Sequence, residues 1–233
     1  MFVILPFEKA FYEKYDYKVH FVGHPLIDGI ADRKQVDELA FKKEHNLTNK
    51  PIIALLPGSR KQEITKMLSV MLSLIDDFSE YQFVIAGAPS QDLSFYQKII
   101  ANRKVSFISN KTYDLLSISY VALVASGTAT LETALFKVPQ VVCYKGGNIS
   151  YQIAKRIITL KFISLVNLIM DKEVVKELIQ NDFNSKNLKT ELTKILEESH
   201  REKLFLEYFE LEKLLGGKGA SEKVAKQIVS KIK

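Results

Sequence analysis

The stretch Val124-Ala-Ser-Gly-Thr-Ala-Thr-Leu-Glu132 decides the fold of this chain. An apolar run from Tyr120 to Ala125 ends in Ser126-Gly-Thr128, and a helix-like segment from Thr130 to Phe136 follows at once. In α/β proteins a strand, a turn of small residues and a helix N-terminus present free backbone N–H groups and the positive end of the helix dipole to an anion. The stretch therefore predicts an anion cradle. The simpler alternative is an ordinary turn in which Ser126 or Thr128 caps the helix.

Two residues of this stretch add more specific chemistry. Gly127 lets the backbone come close to a ligand, because it has no Cβ. Glu132 falls in the first turn of the predicted helix, where its carboxylate could accept hydrogen bonds from a pair of sugar hydroxyls. The alternative for Glu132 is an ordinary acidic residue at a helix start.

A second unit of the same kind occurs earlier in the chain. Pro51–Leu56 is an apolar run of the length expected for a buried parallel strand, and it stops at Pro57-Gly-Ser-Arg60. A helix with apolar residues at helical spacing is predicted over Glu63–Phe78. The Arg60 guanidinium beside a Gly-Ser turn suits a phosphate group; its alternative is a surface arginine beside Lys61.

Apolar strands and amphipathic helices alternate through the middle of the chain. Further strands are predicted over Tyr81–Ala86, Val105–Ile108 and Val138–Tyr144, and further helices over Leu93–Ile100, Thr112–Leu116 and Ile149–Leu160. This alternation predicts a doubly wound parallel sheet. Ligands of such sheets bind at the carboxyl ends of strands, so the loops after Leu56, Ala86, Ala125 and Tyr144 should meet at one edge.

Both ends of the chain have weaker patterns. The first part predicts strands over Phe2–Leu5 and Lys18–Val22, helices over Glu8–Tyr15 and Gln35–His45, and a polar turn over Asp28–Asp32. The last part predicts a helical turn over Glu173–Gln180 and helices over Leu188–Glu198, Arg201–Leu215 and Ala220–Ile232. The last helix has an apolar stripe that should pack on something. A strand that starts at residue 2 leads us to expect that the chain is the later part of something longer.

Composition restricts the function classes. The 233 residues are 47% apolar and 26% charged, as in an ordinary globular protein, and the net charge is +6. This charge suits a phosphorylated substrate or an anionic membrane face and does not require nucleic acid. A single cysteine, Cys143, excludes an internal disulfide, and the four histidines are scattered, so no metal site is expected. We see no signal peptide and no apolar run of membrane-spanning length, so a cytoplasmic protein is expected.

Several familiar catalytic motifs are missing from the sequence. There is no dinucleotide fingerprint, no phosphate-binding loop of the GxxxxGK[ST] type and no Gly-x-Ser-x-Gly elbow. A phosphate-and-sugar site without a visible nucleophile or metal is what remains.

Seven ordered stretches carry a resemblance to a known family. They are Pro6-Phe-Glu8 with Phe11-Tyr12, Phe21-Val-Gly-His-Pro-Leu26, Leu55-Leu-Pro-Gly-Ser-Arg60 with Glu63-Ile64, Ala125-Ser-Gly-Thr-Ala-Thr-Leu-Glu132, Pro139-Gln-Val-Val142 with Tyr144-Lys145, Ser164-Leu165 with Asn167-Leu168, and Glu177-Leu-Ile-Gln180. Together they resemble the lipid-A-disaccharide synthase family, from Phe2 to about Gln180, with a helical tail after it. Val166 departs from the family pattern, which usually has proline before the asparagine.

The resemblance implies a GT-B glycosyltransferase, with two Rossmann-like domains and the active site between them. We expect residues 1–180 to form the Rossmann-like, doubly wound domain that binds the nucleotide-sugar donor. Residues 181–233 would form a helical segment that packs on it or on a missing N-terminal domain. The family's reaction transfers 2,3-diacylglucosamine from UDP-2,3-diacylglucosamine to 2,3-diacylglucosamine 1-phosphate (lipid X). It forms the β-1,6 disaccharide with inversion and needs no metal or redox cofactor.

Site residues follow by motif. Arg60 would hold the diphosphate, with Ser126, Gly127 and Thr128 supplying donors nearby, and Glu132 would take the ribose hydroxyls. Asn167 and Gln180, implied by the resemblance alone, would line the donor sugar or phosphates. Secondary candidates are His24, which could equally be a structural loop histidine, Gly58 and Ser59. The general base is expected in the missing domain, so no catalytic residue is assigned in this chain.

The resemblance also implies a place and partners. Both substrates carry acyl chains, which implies a peripheral protein at the cytoplasmic face of the inner membrane. An exposed cleft and an unpartnered last helix favour self-association or pairing with an N-terminal half. Two alternatives remain open: a UDP-sugar 2-epimerase of the same fold, and a non-catalytic UDP-binding module that pairs with a separate first half.

Overall fold

The computed structural model describes residues 1–146 and 161–232. The predicted helix over Ile149–Leu160 lies outside these residues, as does the Gly147 end of the loop after Tyr144.

The strands fall into two parallel sheets. They are β1 Phe2–Val3, β2 His20–Phe21, β3 Ile52–Leu56, β4 Gln82–Gly87, β5 Ser106–Ser109, β6 Val121–Ala125, β7 Gln140–Tyr144 and β8 Lys176–Ile179. The larger sheet has the order β5-β4-β3-β6-β7-β8, and every neighbouring pair in it is parallel. The predicted doubly wound parallel sheet is therefore confirmed.

Helices connect these strands and cover the sheet. Within the described residues they are α1 Pro6–Glu13, α2 Pro25–Ala31, α3 Glu38–Glu44, α4 Lys61–Leu72, α5 Leu93–Ile100, α6 Thr112–Ser117, α7 Thr128–Leu135, α8 Leu165–Met170, α9 Ser185–Leu196, α10 Glu198–Leu214 and α11 Ala220–Ile232. The helix predicted over Glu63–Phe78 ends at Leu72, and a short 3-10 turn at Ile75–Asp77 follows it. None of these helices combines the length and the apolar character that crossing a membrane requires.

The central strands β3 and β6 are buried at every position. Because side chains alternate along a strand, each strand supplies two hydrophobic cores, one on each face of the sheet. Ile53, Leu55 and Leu123 belong to one core, and Ala54 and Val124 belong to the other. This burial on both faces explains why the two strands read as uninterrupted apolar runs.

The prediction of a helical turn over Glu173–Gln180 was wrong. Residues Lys176–Ile179 form β8, which pairs with the edge of β7, so that Cys143 lies opposite Leu178. The backbone N–H of Gln180 extends this pairing by donating to the carbonyl of Tyr144 at 2.8 Å. The hydrogen bonds that the edge of β7 offers outweigh the weak helical pattern of so short a segment.

The prediction of a polar turn over Asp28–Asp32 was also wrong, because residues 28–31 belong to α2 and Asp32 is its C-cap. The start of α2 has two local signals: His24 accepts a hydrogen bond from the backbone N–H of Leu26, and Pro25 lies in the first turn. Ile27 is buried against the main core, which adds the packing that makes so short a helix stable.

The first two strands do not join the large sheet. The segment from β1 through α1 to β2 forms a separate parallel pair, in which Phe2 lies opposite His20. Each strand is only two residues long. The large hydrophobic residues of this segment with exposed side chains are Ile4, Phe7, Phe11, Tyr15 and Tyr17.

The last helix is fixed mainly at its start. The Asp28 carboxylate of α2 accepts hydrogen bonds from the backbone N–H groups of Gly219 at 2.6 Å and Ser221 at 3.1 Å, so it caps α11 from a distant part of the chain. Further along, Ile228 is 45% exposed and Val229 is 53% exposed. This part of the apolar stripe therefore remains largely in solvent, although the sequence predicts that it packs.

Replacing Asp28 with alanine is expected to destabilise α11 by about 1 kcal/mol, the usual effect of losing a helix cap. Hydrogen exchange of the Gly219 and Ser221 amides should become faster. Asp32→Ala is the control, because the Asp32 side chain is 80% exposed and its contact with Lys218 is a long one, 4.0 Å from Oδ1 to Nζ. Equal effects of the two variants would contradict the capping role.

This stabilisation should depend on pH. The N–H groups of Gly219 and Ser221 lower the pKa of the Asp28 carboxyl in the folded protein. A lowered folded pKa means that the stabilisation is complete above the unfolded pKa, about 3.9, and is lost as pH falls through the folded pKa. The difference in urea-unfolding free energy between wild type and Asp28→Ala should therefore shrink below about pH 4.

Candidate functional site

The two strand–loop–helix units that the sequence predicts lie next to each other. Leu56, the last residue of β3, pairs with Val124 near the end of β6, so the loops Pro57–Arg60 and Ser126–Thr128 leave the same edge of the sheet side by side. From this point the strand order runs through β4 and β5 on one side and through β7 and β8 on the other. Ligands of open α/β sheets bind in the crevice at such a switch point.

The helix N-terminus of α7 is open towards this crevice. Gly127 precedes the helix at φ 151° and ψ −162°, a backbone conformation that glycine adopts far more readily than other residues. A Cβ added to Gly127 would meet no described heavy atom within 4 Å. No side-chain cap from the described residues occupies this end of α7, so the N–H groups of Thr128 and Ala129 face the crevice as donors for an anion, whereas that of Thr130 donates to the Gly127 carbonyl.

Glu132 lies two residues further along α7 than the sequence predicts. The helix starts at Thr128 and not at Thr130, so Glu132 falls in the second turn. The earlier start follows from Gly127, whose carbonyl accepts from both the N–H and the hydroxyl of Thr130. Glu132 is only partly buried, and its Oε1 accepts a hydrogen bond from the Tyr113 hydroxyl at 2.7 Å.

Arg60 lies at the mouth of the crevice, at the N-cap position of α4. Its side chain is 82% exposed and is held by Glu63, with Nη1 3.0 Å from Oε1. One nitrogen of the guanidinium contacts Glu63, which leaves other donors of the fork for a phosphate.

Gly58 permits the two loops to approach each other. It has a φ of 99°, and a Cβ there would come within 3.1 Å of Glu63 Oε2 and 3.5 Å of the Ala125 Cβ. The neighbouring Ser59 has an exposed side chain, and its carbonyl accepts from Ser90 and Gln91 of the next loop, both at 3.3 Å. The loop after β4 thus supports the loop after β3.

Ser126 has its hydroxyl committed to the protein. The Oγ–H donates to the Ile163 carbonyl at 3.0 Å, and the backbone N–H donates to the Cys143 carbonyl at 3.0 Å. In this arrangement Ser126 offers lone pairs and not a proton, so the donors of the cradle are the N–H groups of α7.

Asn167 is completely buried and fully used within the protein. Its Oδ1 accepts from the N–H groups of Val174 and Val175, and its Nδ2 donates to the Val175 carbonyl and to Glu177. The side chain therefore joins α8 to β8. Its predicted role beside the donor sugar stays a prediction, and any such role has to act through its neighbours.

Glu177 is the centre of this network. Its carboxylate accepts four hydrogen bonds of 2.7 to 2.9 Å: from the Ile163 and Ser164 N–H groups, the Ser164 hydroxyl and the Asn167 amide. The carbonyl of Ile163 in turn accepts a hydrogen bond from the Ser126 hydroxyl. One carboxylate on β8 thereby holds the segment that supports the cradle.

Gln180 and His24 have different environments. Gln180 follows β8 at the carboxyl edge with φ 54°, and its buried Nε2 has no hydrogen-bond partner among the described residues. The side chain of His24 caps α2 through Nδ1, and the backbone N–H of His24 donates to the Leu215 carbonyl at 3.0 Å. Burial lowers the pKa of His24, while Glu8 opposes the change. These contacts give His24 a structural part in the loop, and its role in binding the donor stays a prediction.

No group of three or more histidine, cysteine or acidic side chains suited to a metal ion occurs in residues 1–146 or 161–232. Sequence reasoning missed two residues of this site. Glu177 was within a matched stretch, but nothing local distinguished it from a surface glutamate. Tyr113 had no signal, because its partner is 19 residues away on another helix.

The strand order, the paired glycine loops and the open helix end define a Rossmann-like α/β protein whose candidate site lies at the switch point of the sheet. The family model described as lipid-A-disaccharide synthetase matches residues 1–232. The chain belongs to the lipid-A-disaccharide synthase family.

Curated relatives agree with this assignment. A lipid-A-disaccharide synthase of Syntrophus aciditrophicus is 38% identical over 100% of this chain and 63% of its own length. That of Geobacter sulfurreducens is 33% identical over 97% of this chain and 60% of its own length. The chain therefore spans about three fifths of the length of these relatives.

Solved structures share the fold at low identity. The UDP-GlcNAc 2-epimerase of Neisseria meningitidis, solved with UDP-GlcNAc, has a TM-score of 0.70 and 16% identity over 98% of this chain and 61% of its own. The S. aureus MnaA–UDP structure has a TM-score of 0.67 and 16% identity, over 99% and 59%. At this identity the likeness establishes the fold alone.

Replacing Glu177 with alanine is expected to lower the free energy of unfolding by about 2–3 kcal/mol, because it leaves part-buried N–H groups without an acceptor. Glu173→Ala is the matched control: Glu173 precedes the same strand, is 53% exposed and, within residues 1–146 and 161–232, forms an ion pair with Lys176 alone, at 3.2 Å. The control should change the free energy by less than about 0.5 kcal/mol. Urea unfolding measures both, and similar values for the two variants would refute the central role of Glu177.

Proposed function

We propose that this chain is the donor-binding part of a glycosyltransferase of lipid A biosynthesis. The reaction would transfer 2,3-diacylglucosamine from UDP-2,3-diacylglucosamine to lipid X, giving the lipid A disaccharide 1-phosphate and UDP. The observation that carries this proposal is the open N-terminus of α7 beside the Arg60 loop, at the switch point of a chain in this family.

The diphosphate of UDP would lie across this crevice. The N–H groups of α7 and the exposed guanidinium of Arg60 supply the positive potential, and Arg60 can keep its contact with Glu63 while other nitrogens of the fork bind phosphate. Glu132 would accept from the ribose hydroxyls. Gln180, whose buried Nε2 has no hydrogen-bond partner in the part of the chain that the structure describes, would turn towards the donor, and Asn167 would act by holding Glu177.

This geometry supports departure of the nucleotide. An acceptor hydroxyl attacks the anomeric carbon, the bond from that carbon to the phosphate oxygen breaks, and the hydroxyl proton passes to a base. Negative charge grows on the leaving diphosphate, where fixed N–H dipoles and Arg60 stabilise it without reorganisation. We assign the base to an N-terminal half. The matched relatives are long enough to contain such a half, because this chain covers only about three fifths of their length.

An N-terminal half is the partner that we propose for this chain. A parallel pair of two-residue strands is too small to be stable alone and fits the margin of a larger sheet. The exposed Phe7 and Phe11 of α1 and the exposed Ile228 and Val229 of α11 offer apolar surface for the same contact. We further propose that the assembled enzyme lies at the cytoplasmic face of the inner membrane, because both substrates carry acyl chains and the net charge of +6 favours anionic lipid.

A UDP-sugar 2-epimerase is the second candidate. It is favoured by the likeness in fold to the UDP-GlcNAc 2-epimerase of Neisseria meningitidis and to the UDP-bound MnaA of S. aureus. Product analysis after incubation with UDP-N-acetylglucosamine separates the two, since an epimerase would form the 2-epimer. A non-catalytic UDP-binding module is the third candidate, and it would bind UDP without turnover even when the first half is added.

Calorimetry with UDP and uridine tests the site. Arg60→Ala should weaken UDP binding about tenfold to a hundredfold and leave uridine binding unchanged, because the arginine contacts only phosphate. Glu132→Gln should weaken both ligands, and EDTA should affect neither. Arg103→Ala is the control, since the Arg103 guanidinium donates to the carbonyls of Ile99 and Ile100, away from the crevice. No UDP binding by the folded chain would refute the site.

The chain alone is expected to make no disaccharide, because the proposed base lies in the other half. Adding the N-terminal half of a relative should bring the two into one complex on size-exclusion chromatography and restore product formation. Phe11→Ser, in a residue that is 51% exposed, should weaken this complex without lowering the melting temperature. Turnover by the isolated chain would contradict the assignment of the base.

A further inference from the structure

Tyr113 makes a specific contact with the acidic residue of the site. It lies on α6, which follows β5, whereas Glu132 lies on α7, which follows β6. The Tyr113 hydroxyl donates to Glu132 Oε1 at 2.7 Å. Among the described residues, no hydrogen bond is recorded to the second carboxylate oxygen. Oε1 is thus fixed by the protein, while Oε2 is left for another donor.

The ring of Tyr113 is held by two further side chains. Phe136, at the end of α7, lies 5.3 Å from it between ring centroids, with the planes inclined at 55°. The Arg33 guanidinium lies over the ring, 5.2 Å from its centroid, and forms an ion pair with Asp114. An aromatic ring with contacts of this kind has little freedom to swing its hydroxyl away from Glu132.

The direction of the hydrogen bond is also determined. Burial, together with the hydrogen bond to Glu132 and the charge of that residue, raises the pKa of Tyr113 well above its usual range, although Arg33 opposes the change. The phenol therefore keeps its proton and acts as the donor, while the carboxylate acts as the acceptor.

We propose that Tyr113 is a positioning residue, which orients Glu132 so that the free carboxylate oxygen accepts from the ribose diol and the site prefers ribonucleotides. This inference rests on the proposed function, in which Glu132 binds the ribose. A carboxylate with one oxygen fixed loses less rotational freedom when it binds, and its remaining lone pairs point in a defined direction.

The test compares UDP with 2′,3′-dideoxyuridine diphosphate, which lacks both ribose hydroxyls. The ratio of the two dissociation constants measures how strongly the protein recognises the diol. Tyr113→Phe removes one hydroxyl group and keeps the ring contacts, and it should reduce this ratio about threefold to tenfold, as expected for one hydrogen bond. Binding of the dideoxy nucleotide should stay within about twofold of wild type.

Two further variants make the result decisive. Tyr120→Phe is the control, because that half-buried tyrosine stacks on Arg201 beyond the opposite end of β6. Tyr113→Phe in a Glu132→Gln background should cause no further loss of discrimination, since the residues act in series. Melting temperatures of all variants show whether each one folds.

The outcomes separate this inference from the function on which it rests. Equal weakening of both nucleotides by Tyr113→Phe would show a purely structural role and overturn the inference, as would an unchanged ratio. If Glu132→Gln removes discrimination and Tyr113→Phe does not, the ribose role of Glu132 stands and the positioning role of Tyr113 fails. If Glu132→Gln leaves the ratio unchanged, the proposed ribose site itself fails.

Discussion

The parallel pairing of β3 with β6 is the constraint on which the rest of the structure depends. It joins two segments that are far apart in the chain and brings two glycine-containing loops to one edge of the sheet. The chain continues in opposite directions from this pair, so a crevice remains between the loops. The absence of a side chain at Gly58 lets the loops approach each other, because a Cβ there would press on Glu63 and Ala125.

Carboxylates organise the surroundings of this crevice. The Glu177 carboxylate accepts four hydrogen bonds from the segment that supports Ser126, and the Glu132 carboxylate accepts one from the Tyr113 hydroxyl. In partly buried surroundings such bonds are stronger than in water, and a group left without its partner is correspondingly costly. Hydrogen bonds of this kind hold side chains in one orientation, which would preorganise the proposed site for a charged ligand.

The two ends of the chain differ from its centre. The central sheet is buried on both faces, whereas the β1–β2 pair, the aromatic face of α1 and part of α11 remain exposed. Asp28 links these ends, because it lies on α2 and caps α11. The chain spans about three fifths of its relatives, and the exposed surfaces lie in the segments that our proposal assigns to the contact with the remaining part.

The sequence by itself determined the doubly wound sheet, its central strands and the two glycine loops, because these features depend on local apolar runs and on turn residues. It was wrong about β8, whose four residues include Lys176 and Glu177 and become a strand only because the edge of β7 offers hydrogen bonds. It also placed Glu132 in the wrong turn of α7. The hydrogen-bond partners of Tyr113, Glu177 and Asp28 were decided by the tertiary structure alone. Each depends on partners that only folding brings within hydrogen-bonding distance, and no local pattern of residues encodes such a distance.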